Sequence, residues 1–510
     1  MDGDLMKTLA EIRDTELPDG RLYLGGEWVA GTGAEIVSVF PADGSVNRVL
    51  RGASAADGAR AIARAKAAQA DPAWRGLKPH ERARYLYRIA DGIEANIDRI
   101  SRIQSCDTGK TLRETAALAA SAAGTFRYFG AVAETTDDEL TVQRGSAMTL
   151  SVHEPLGVIA AITPWNSPIA SDAQKVAPAL AAGNAVVLKP ASWSPLTALE
   201  LARIIDEAGL PKGLFSVLPG SGREIGNLLV EHPDIAKVSF TGGTTTGRAL
   251  AHKAAEKLMP VSLELGGKSP TIVFADADMD QAIAGVLFGI FSSSGQSCIA
   301  GSRLFVEAPV YDSFVARLVA ATKALKLGHS FAADTQVAPL IHTDHRDEVA
   351  AHVARALADG AELLCGGKAP EGAEFAGGSY YEPTILAGLP NSARLCRDEV
   401  FGPVLAVLPF ETEDEVIAAG NDSDYGLACG IWTRDFPRAW RVGRAINAGT
   451  IWHNTYKQFS ISTPFGGERD SGVGREKGRQ GMRAYMAQKS FYSDLSGAPH
   501  PWAGAALGAS

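Results

Sequence analysis

Between residues 157 and 240 four short apolar runs, GVIAAIT, NAVVLKP, GLFSVLPG and AKVSFTG, alternate with stretches of helical character that begin near Ser194, Arg223 and Thr244. Strand and helix in alternation require right-handed crossovers, and a parallel, doubly wound sheet accommodates them. Such sheets bind ligands at the carboxyl ends of their strands. A second alternating stretch, from 269 to about 455, has strands at PTIVFA, SRLFVE, VLAVLPF and ACGIWT and predicts a second α/β domain. More than one domain is also what a chain of 510 residues needs, because single cores stop growing near roughly 250–300 residues.

Upstream, residues 22–30 read as a hairpin-like strand pair and 37–41 as extended chain. Ala-rich sequence with helical spacing then predicts two long helices at 54–75 and 79–108 and a third at 111–133. Residues 141–154 (TVQRGSAMTLSVHE) alternate like a ribbon with Gly145 in its turn, suited to lie against another part of the protein or a second subunit. The tail after Ser496 reads as a loose terminus. A formal net charge of -9 without an acidic or basic tail lacks the footprint of a nucleic-acid binder. No apolar stretch nears the roughly 20 residues of a membrane span, and residues 1–9, with Asp2, Asp4 and Lys7, have no secretory apolar run. Cys106, Cys298, Cys365, Cys396 and Cys429 are widely spaced, odd in number and without metal-type pairing, so the expectation is a cytoplasmic protein with no metal.

Two strands end in glycine turns that run straight into helices, LPGSGREIG at 218–226 and FTGGTTTG at 240–247. Such helix starts offer backbone N–H groups to a pyrophosphate; each could equally be an ordinary βα turn. Cys298 sits among small residues, SSSGQSCIAGS, which leave a thiol accessible to a carbonyl; it is either a nucleophile or a small buried apolar residue. Glu264 lies inside the apolar run VSLELGGKSP, where a carboxylate is either a general base with a raised pKa or a structural hydrogen-bond acceptor. Asn166, in TPWN after a buried strand, either donates to a developing oxyanion or holds the turn.

Taken together TPWN, KPA, FTGGTTTG, LELGGKSP, GQSC, EVFGPV and PFGG stand in the order and spacing of the aldehyde dehydrogenase superfamily, which the chain resembles from about Leu22 to Tyr492. The resemblance implies that Cys298 is the nucleophile, Glu264 the general base and Asn166 the oxyanion donor, with Lys175 and Glu476 as a proton-relay pair. It implies NAD or NADP along Ile162, Thr163, Pro164, Trp165 and Leu265, with Lys189 and Ser192 at the adenosine ribose. Gly222, Gly242, Gly243 and Gly247 would follow the adenine and pyrophosphate, and Glu399 and Phe401 the nicotinamide ribose. Ser167, Ser171, Gln174, Ser297, Lys457, Phe459 and Phe465 would line the substrate tunnel.

On this reading residues 1–140 and 154–264 form the NAD(P)-binding domain and 265–460 the catalytic domain. Residues 141–153 and 485–500 form a small bridging sheet whose edges seek a partner subunit, giving a homodimer or homotetramer. The product is a free acid, since Glu264 supplies the base that thioester hydrolysis needs. The rivals are a coenzyme A-acylating semialdehyde dehydrogenase and a catalytically idle relative. Serines and a glutamine in the tunnel favour a polar or hydroxylated aldehyde, and the lack of arginine from 167 to 175 counts against a carboxylate-bearing one unless Lys457 holds it. Ser192 presents no carboxylate to repel a 2′-phosphate, so both coenzymes are expected.

Overall fold

The computed structural model describes residues 8–142, 145–500, 502 and 506. The reading of residues 1–7, the ribbon tip at 143–144 and most of the tail past 500 lie outside them. The first large sheet runs Trp28–Val29, Leu22–Leu24, Phe215–Val217, Ala185–Lys189, Val158–Ile162, Ile235–Thr241, Val261–Glu264, Gly472–Val473. Its five central strands are parallel and the flanking ones antiparallel. Val158–Ile162 and Ala185–Lys189 are buried throughout, as strands covered on both faces must be. Chain order reverses at Val158–Ile162: the next two strands are laid on one side and Ile235–Thr241 on the other. The crevice of such a sheet opens at the carboxyl ends beside that reversal.

The second sheet runs Glu362–Cys365, Thr384–Ala387, Val404–Phe410, Arg303–Glu307, Pro270–Val273, Ala428–Trp432, Thr450–His453, parallel except at its Glu362–Cys365 edge. Residues 265–269 pass directly from the carboxyl end of Val261–Glu264 to the amino end of Pro270–Val273. The two sheets therefore meet carboxyl ends to amino ends, and loops preceding the second sheet's strands face the first sheet's crevice.

Two helix expectations need correction. The stretch 54–75 is two helices, Ala55–Ala70 and Pro72–Arg75: Asp71 caps the second, its side chain accepting from the Ala73 N–H, and Pro72 takes the first helical position. The stretch 79–108 breaks at Asn96, whose φ of -119° and ψ of 18° leave the helical region, giving Pro79–Ala95 and Ile97–Thr108. The helix Pro168–Ala181, which carries Lys175, had no counterpart in the sequence reading. A three-stranded ribbon stands apart from the large sheets: Met486–Asp494 pairs with Ala147–Pro155, Met486 opposite Pro155 and Asp494 opposite Ala147, and Glu139–Leu140 pairs on the far side. No helix among the described residues is long and apolar enough to cross a membrane.

Candidate active site

At the junction of the sheets lies a cavity of about 430 Å³. From the first sheet its wall takes Ile162, Thr163, Pro164, Trp165 and Asn166 after one strand, Lys189 after the next, Thr241, Gly242 and Gly243 after a third, and Glu264 and Leu265 after a fourth. From the second it takes Cys298, Glu399 and Phe401. Sequence reasoning missed Trp193, His345 and Glu348, which also line it. These come from a turn and a helix with no glycine or cysteine signature. Trp193 lies face to face with His342, centroids 5.3 Å apart, and His345 Nε2 lies 2.9 Å from the Phe401 carbonyl oxygen. That contact holds Phe401 at a φ of 55°, a left-handed conformation uncommon outside glycine.

The cavity fits a dinucleotide. The helix Thr244–Ala255 begins at Gly243 without a side-chain cap, so its first N–H groups remain for an anion. A Cβ on Gly222 or Gly243 would meet nothing within 4 Å, which is the open face a bound group would occupy, whereas Gly247 lets the helix close on Leu265, whose side chain a Cβ there would strike at 2.4 Å. Gly247 thus acts through packing. The Ser192 hydroxyl donates to the Gly220 carbonyl at 3.2 Å, and the Lys189 ammonium donates to Pro190 O at 3.0 Å, with burial pulling its pKa down to about 8. Glu399 accepts from the Gly267 N–H at 3.0 Å; a Cβ on Gly266 would lie 2.1 Å from its other oxygen, so a side chain there would displace the carboxylate. Burial pushes the Glu399 carboxyl up to about 7, against the Gly267 N–H and Lys268.

Cys298 is the half-buried member of five unpaired cysteines; the other four are buried. Burial pushes its thiol up to about 12, the Glu399 and Glu264 carboxylates adding to the rise and Lys457 and the backbone N–H opposing it. The Asn166 amide lies beside it, donating one N–H to the Gln296 carbonyl at 3.0 Å and leaving its second free for a substrate oxygen. Glu264 ends its strand 4 % exposed, and neither carboxylate oxygen has a hydrogen-bond partner among the described residues. Burial and the Glu476 charge hold its pKa well above the carboxylate range, while Lys175, Arg475 and Lys477 oppose them. Behind it Lys175 and Glu476 form a buried ion pair, and the Lys175 ammonium also donates to the Ser239 hydroxyl at 3.2 Å. In the tunnel positions the Ser167 and Ser171 hydroxyls are 3.0 Å apart, Gln174 and Ser297 are half-buried, and Lys457 donates to the Ser292 hydroxyl at 2.8 Å. Phe459 and Phe465 meet edge to face at 5.4 Å.

Residues 28–491 match the model of the aldehyde dehydrogenase family. The chain belongs to that family. It is 43% identical over 487 residues to a betaine aldehyde dehydrogenase of Mesorhizobium japonicum, covering 95% of this chain and 99% of that one. With betaine aldehyde dehydrogenase 2 of Rhizobium meliloti it shares 44% over 480 residues, 94% of this chain and 98% of the other. Among solved structures, the betaine aldehyde dehydrogenase of Staphylococcus aureus in complex with NAD+ superposes with a TM-score of 0.94 at 35% identity, covering 97% of this chain and 99% of that one. The protein is accordingly an NAD(P)-dependent oxidoreductase that converts aldehydes to carboxylic acids.

Proposed function

We propose that Cys298 carries the acyl group as a thioester and that Glu264 activates the water that hydrolyses it. The observation that supports this is a buried carboxylate with no hydrogen-bond partner among the described residues, lining the same cavity as the one half-buried thiol. The Cys298 thiol gives its proton to Glu264 and its sulfur bonds to the aldehyde carbon, while the free Asn166 N–H and the Cys298 backbone N–H hold the oxygen that becomes negative. The bound coenzyme supplies the acceptor for the hydride that leaves this carbon. Glu264, its proton passed toward Lys175 and Glu476, then takes a proton from water; the hydroxide adds, the C–S bond breaks and the sulfur regains a proton. Lys189, Gly222, Gly243, Glu399 and Phe401 would hold NAD or NADP.

Release of acid should proceed with no acyl acceptor but water. Product analysis with and without coenzyme A separates this from the acylating reading: NADH formation that requires coenzyme A would overturn hydrolysis, and no NADH from any aldehyde would favour the idle relative. The ribbon with residues 141–153 and 485–500 would bridge subunits of a homodimer or homotetramer, and residues 1–140 with 154–264, and 265–460, would be the coenzyme and catalytic domains. Five unpaired cysteines suit the cytoplasm.

A further inference from the structure

Three lysines near Cys298, namely Lys110, Lys457 and Lys477, take no part in the bond-making steps above. Lys110 is 3 % exposed and Lys477 6 %; Lys457 is half-buried and held at a φ of 53°. None of the three forms a salt bridge among the described residues, and only Lys457 has a hydrogen-bonded ammonium, on the Ser292 hydroxyl, which leaves two of its donors unused. The nearby carboxylates are committed. Glu114 accepts from the Ser293 N–H at 2.6 Å and the Thr111 hydroxyl at 2.9 Å, Glu476 is paired with Lys175, and Glu264 and Glu399 face the reacting centre. An ammonium taken out of water without a carboxylate is costly. Burial and the charge of Lys110 accordingly pull Lys457 down to about 7, with Glu114 and Cys298 opposing.

Two of the aromatic rings here already face a cation. The Lys477 ammonium stands 4.0 Å from the Phe459 centroid and 5.6 Å from that of Phe465, and Phe465 packs with Cys298 around Ile299, Trp452 and Tyr456. On these two rings the place a quaternary ammonium would take is held by the protein's own lysine ammonium.

We propose that the substrate is an aldehyde with a carboxylate remote from its carbonyl, gripped by the Lys457 ammonium together with the Ser292 hydroxyl, and that Lys477 and Lys110 exclude cationic aldehydes. This rests on the assignment of Cys298 as the nucleophile. It departs from the substrate in the names of the relatives, betaine aldehyde, which bears a fixed positive charge.

The test compares kcat/KM for the four- to six-carbon ω-oxocarboxylates, pentanal and betaine aldehyde, in the native enzyme and in Lys457→Gln, Lys457→Arg and Lys457→Glu. The best oxocarboxylate should exceed pentanal, and betaine aldehyde should be poorest. In Lys457→Gln the ratio of oxocarboxylate to pentanal should fall about 10- to 100-fold through KM, as for loss of a charge-assisted hydrogen bond. Lys457→Arg should restore most of it and Lys457→Glu should invert it. Glutarate should compete with aldehyde in the native enzyme, a reading that needs no variant to fold. Preference for betaine aldehyde, or a ratio unmoved in Lys457→Gln with no inhibition by glutarate, would overturn this inference alone. Failure to oxidise any of the aldehydes would overturn the dehydrogenase mechanism and this inference with it.

Discussion

Glu264 must be starved of partners to work as a base yet must not stay protonated. Its burial without a hydrogen bond raises its pKa, and the cations Lys175, Arg475 and Lys477 keep ionisation within reach. Glu264→Gln should therefore still release NADH in a burst, slowed because the thiol proton must leave to water, and then stall at the thioester; rapid-quench kinetics without any burst would move Glu264 to an earlier step or out of the mechanism. Cys298→Ala should bind coenzyme and turn nothing over, and near-normal turnover would end the nucleophile assignment. At the adenosine end, Ser192 places no carboxylate against a 2′-phosphate. NADP efficiency should then fall within about tenfold of NAD, about 1.4 kcal/mol of transition-state binding, and steady-state kinetics showing a thousandfold preference for NAD would mean that another group guards the position. Asp172 is different: it is fully buried, and burial pushes its carboxyl up from 3.8 to about 7, with the Thr163 hydroxyl and the Lys175 charge opposing. Its folded pKa exceeds its unfolded one, so between about pH 4 and 7 the folded state keeps a proton that the unfolded chain has released. Stability falls as pH rises through that window and is level above it. Asp172→Asn should thus melt higher than the native protein at pH 8, with the difference closing toward pH 5, and a pH-independent difference would contradict this.

Elements were legible wherever one local rule dominated. The buried strands of both sheets announced themselves as unbroken apolar runs, and Cys298, Glu264 and Asn166 stood at strand ends or in small-residue loops where neighbours alone made them conspicuous. Helix breaks were less visible because Ala-rich periodicity runs through Asp71–Pro72 and Asn96, and only the caps interrupt it. Trp193 and His345 were invisible for another reason: they are held at the site by pairings across the fold, Trp193 on His342 and His345 on Phe401, that leave no trace in local spacing. The ribbon was legible as alternation, and its exposed side chains, Leu140 at 65%, Phe491 at 54% and Tyr492 at 73%, are what an edge awaiting a subunit would show. Phe491→Glu with Tyr492→Glu should reduce the assembly, because an unpaired carboxylate is costly to bury in an interface. Light scattering that finds the native and variant masses equal would separate the ribbon from assembly.

In the whole molecule the cavity proposed for the coenzyme is a seam, with Lys189, Gly243 and Leu265 supplied by one sheet's strand ends and loops and Cys298, Glu399 and Phe401 by the other's. A ligand that touches both walls binds only when they are in place, so its binding free energy adds to the stability of the folded form. At 100 times its dissociation constant that contribution is about 2.7 kcal/mol. A chain of this size has a large unfolding entropy, so the midpoint should rise by only about 3 °C. NAD and NADP should both produce the shift, and Cys298→Ala should show it undiminished, because the thiol is not needed to join the walls. Glu399→Gln should lose part of it, since the carboxylate ties the Gly267 turn to the second sheet and faces the cavity. Differential scanning fluorimetry with saturating coenzyme decides the matter: a full shift in Glu399→Gln would mean that coenzyme is held by the first sheet alone.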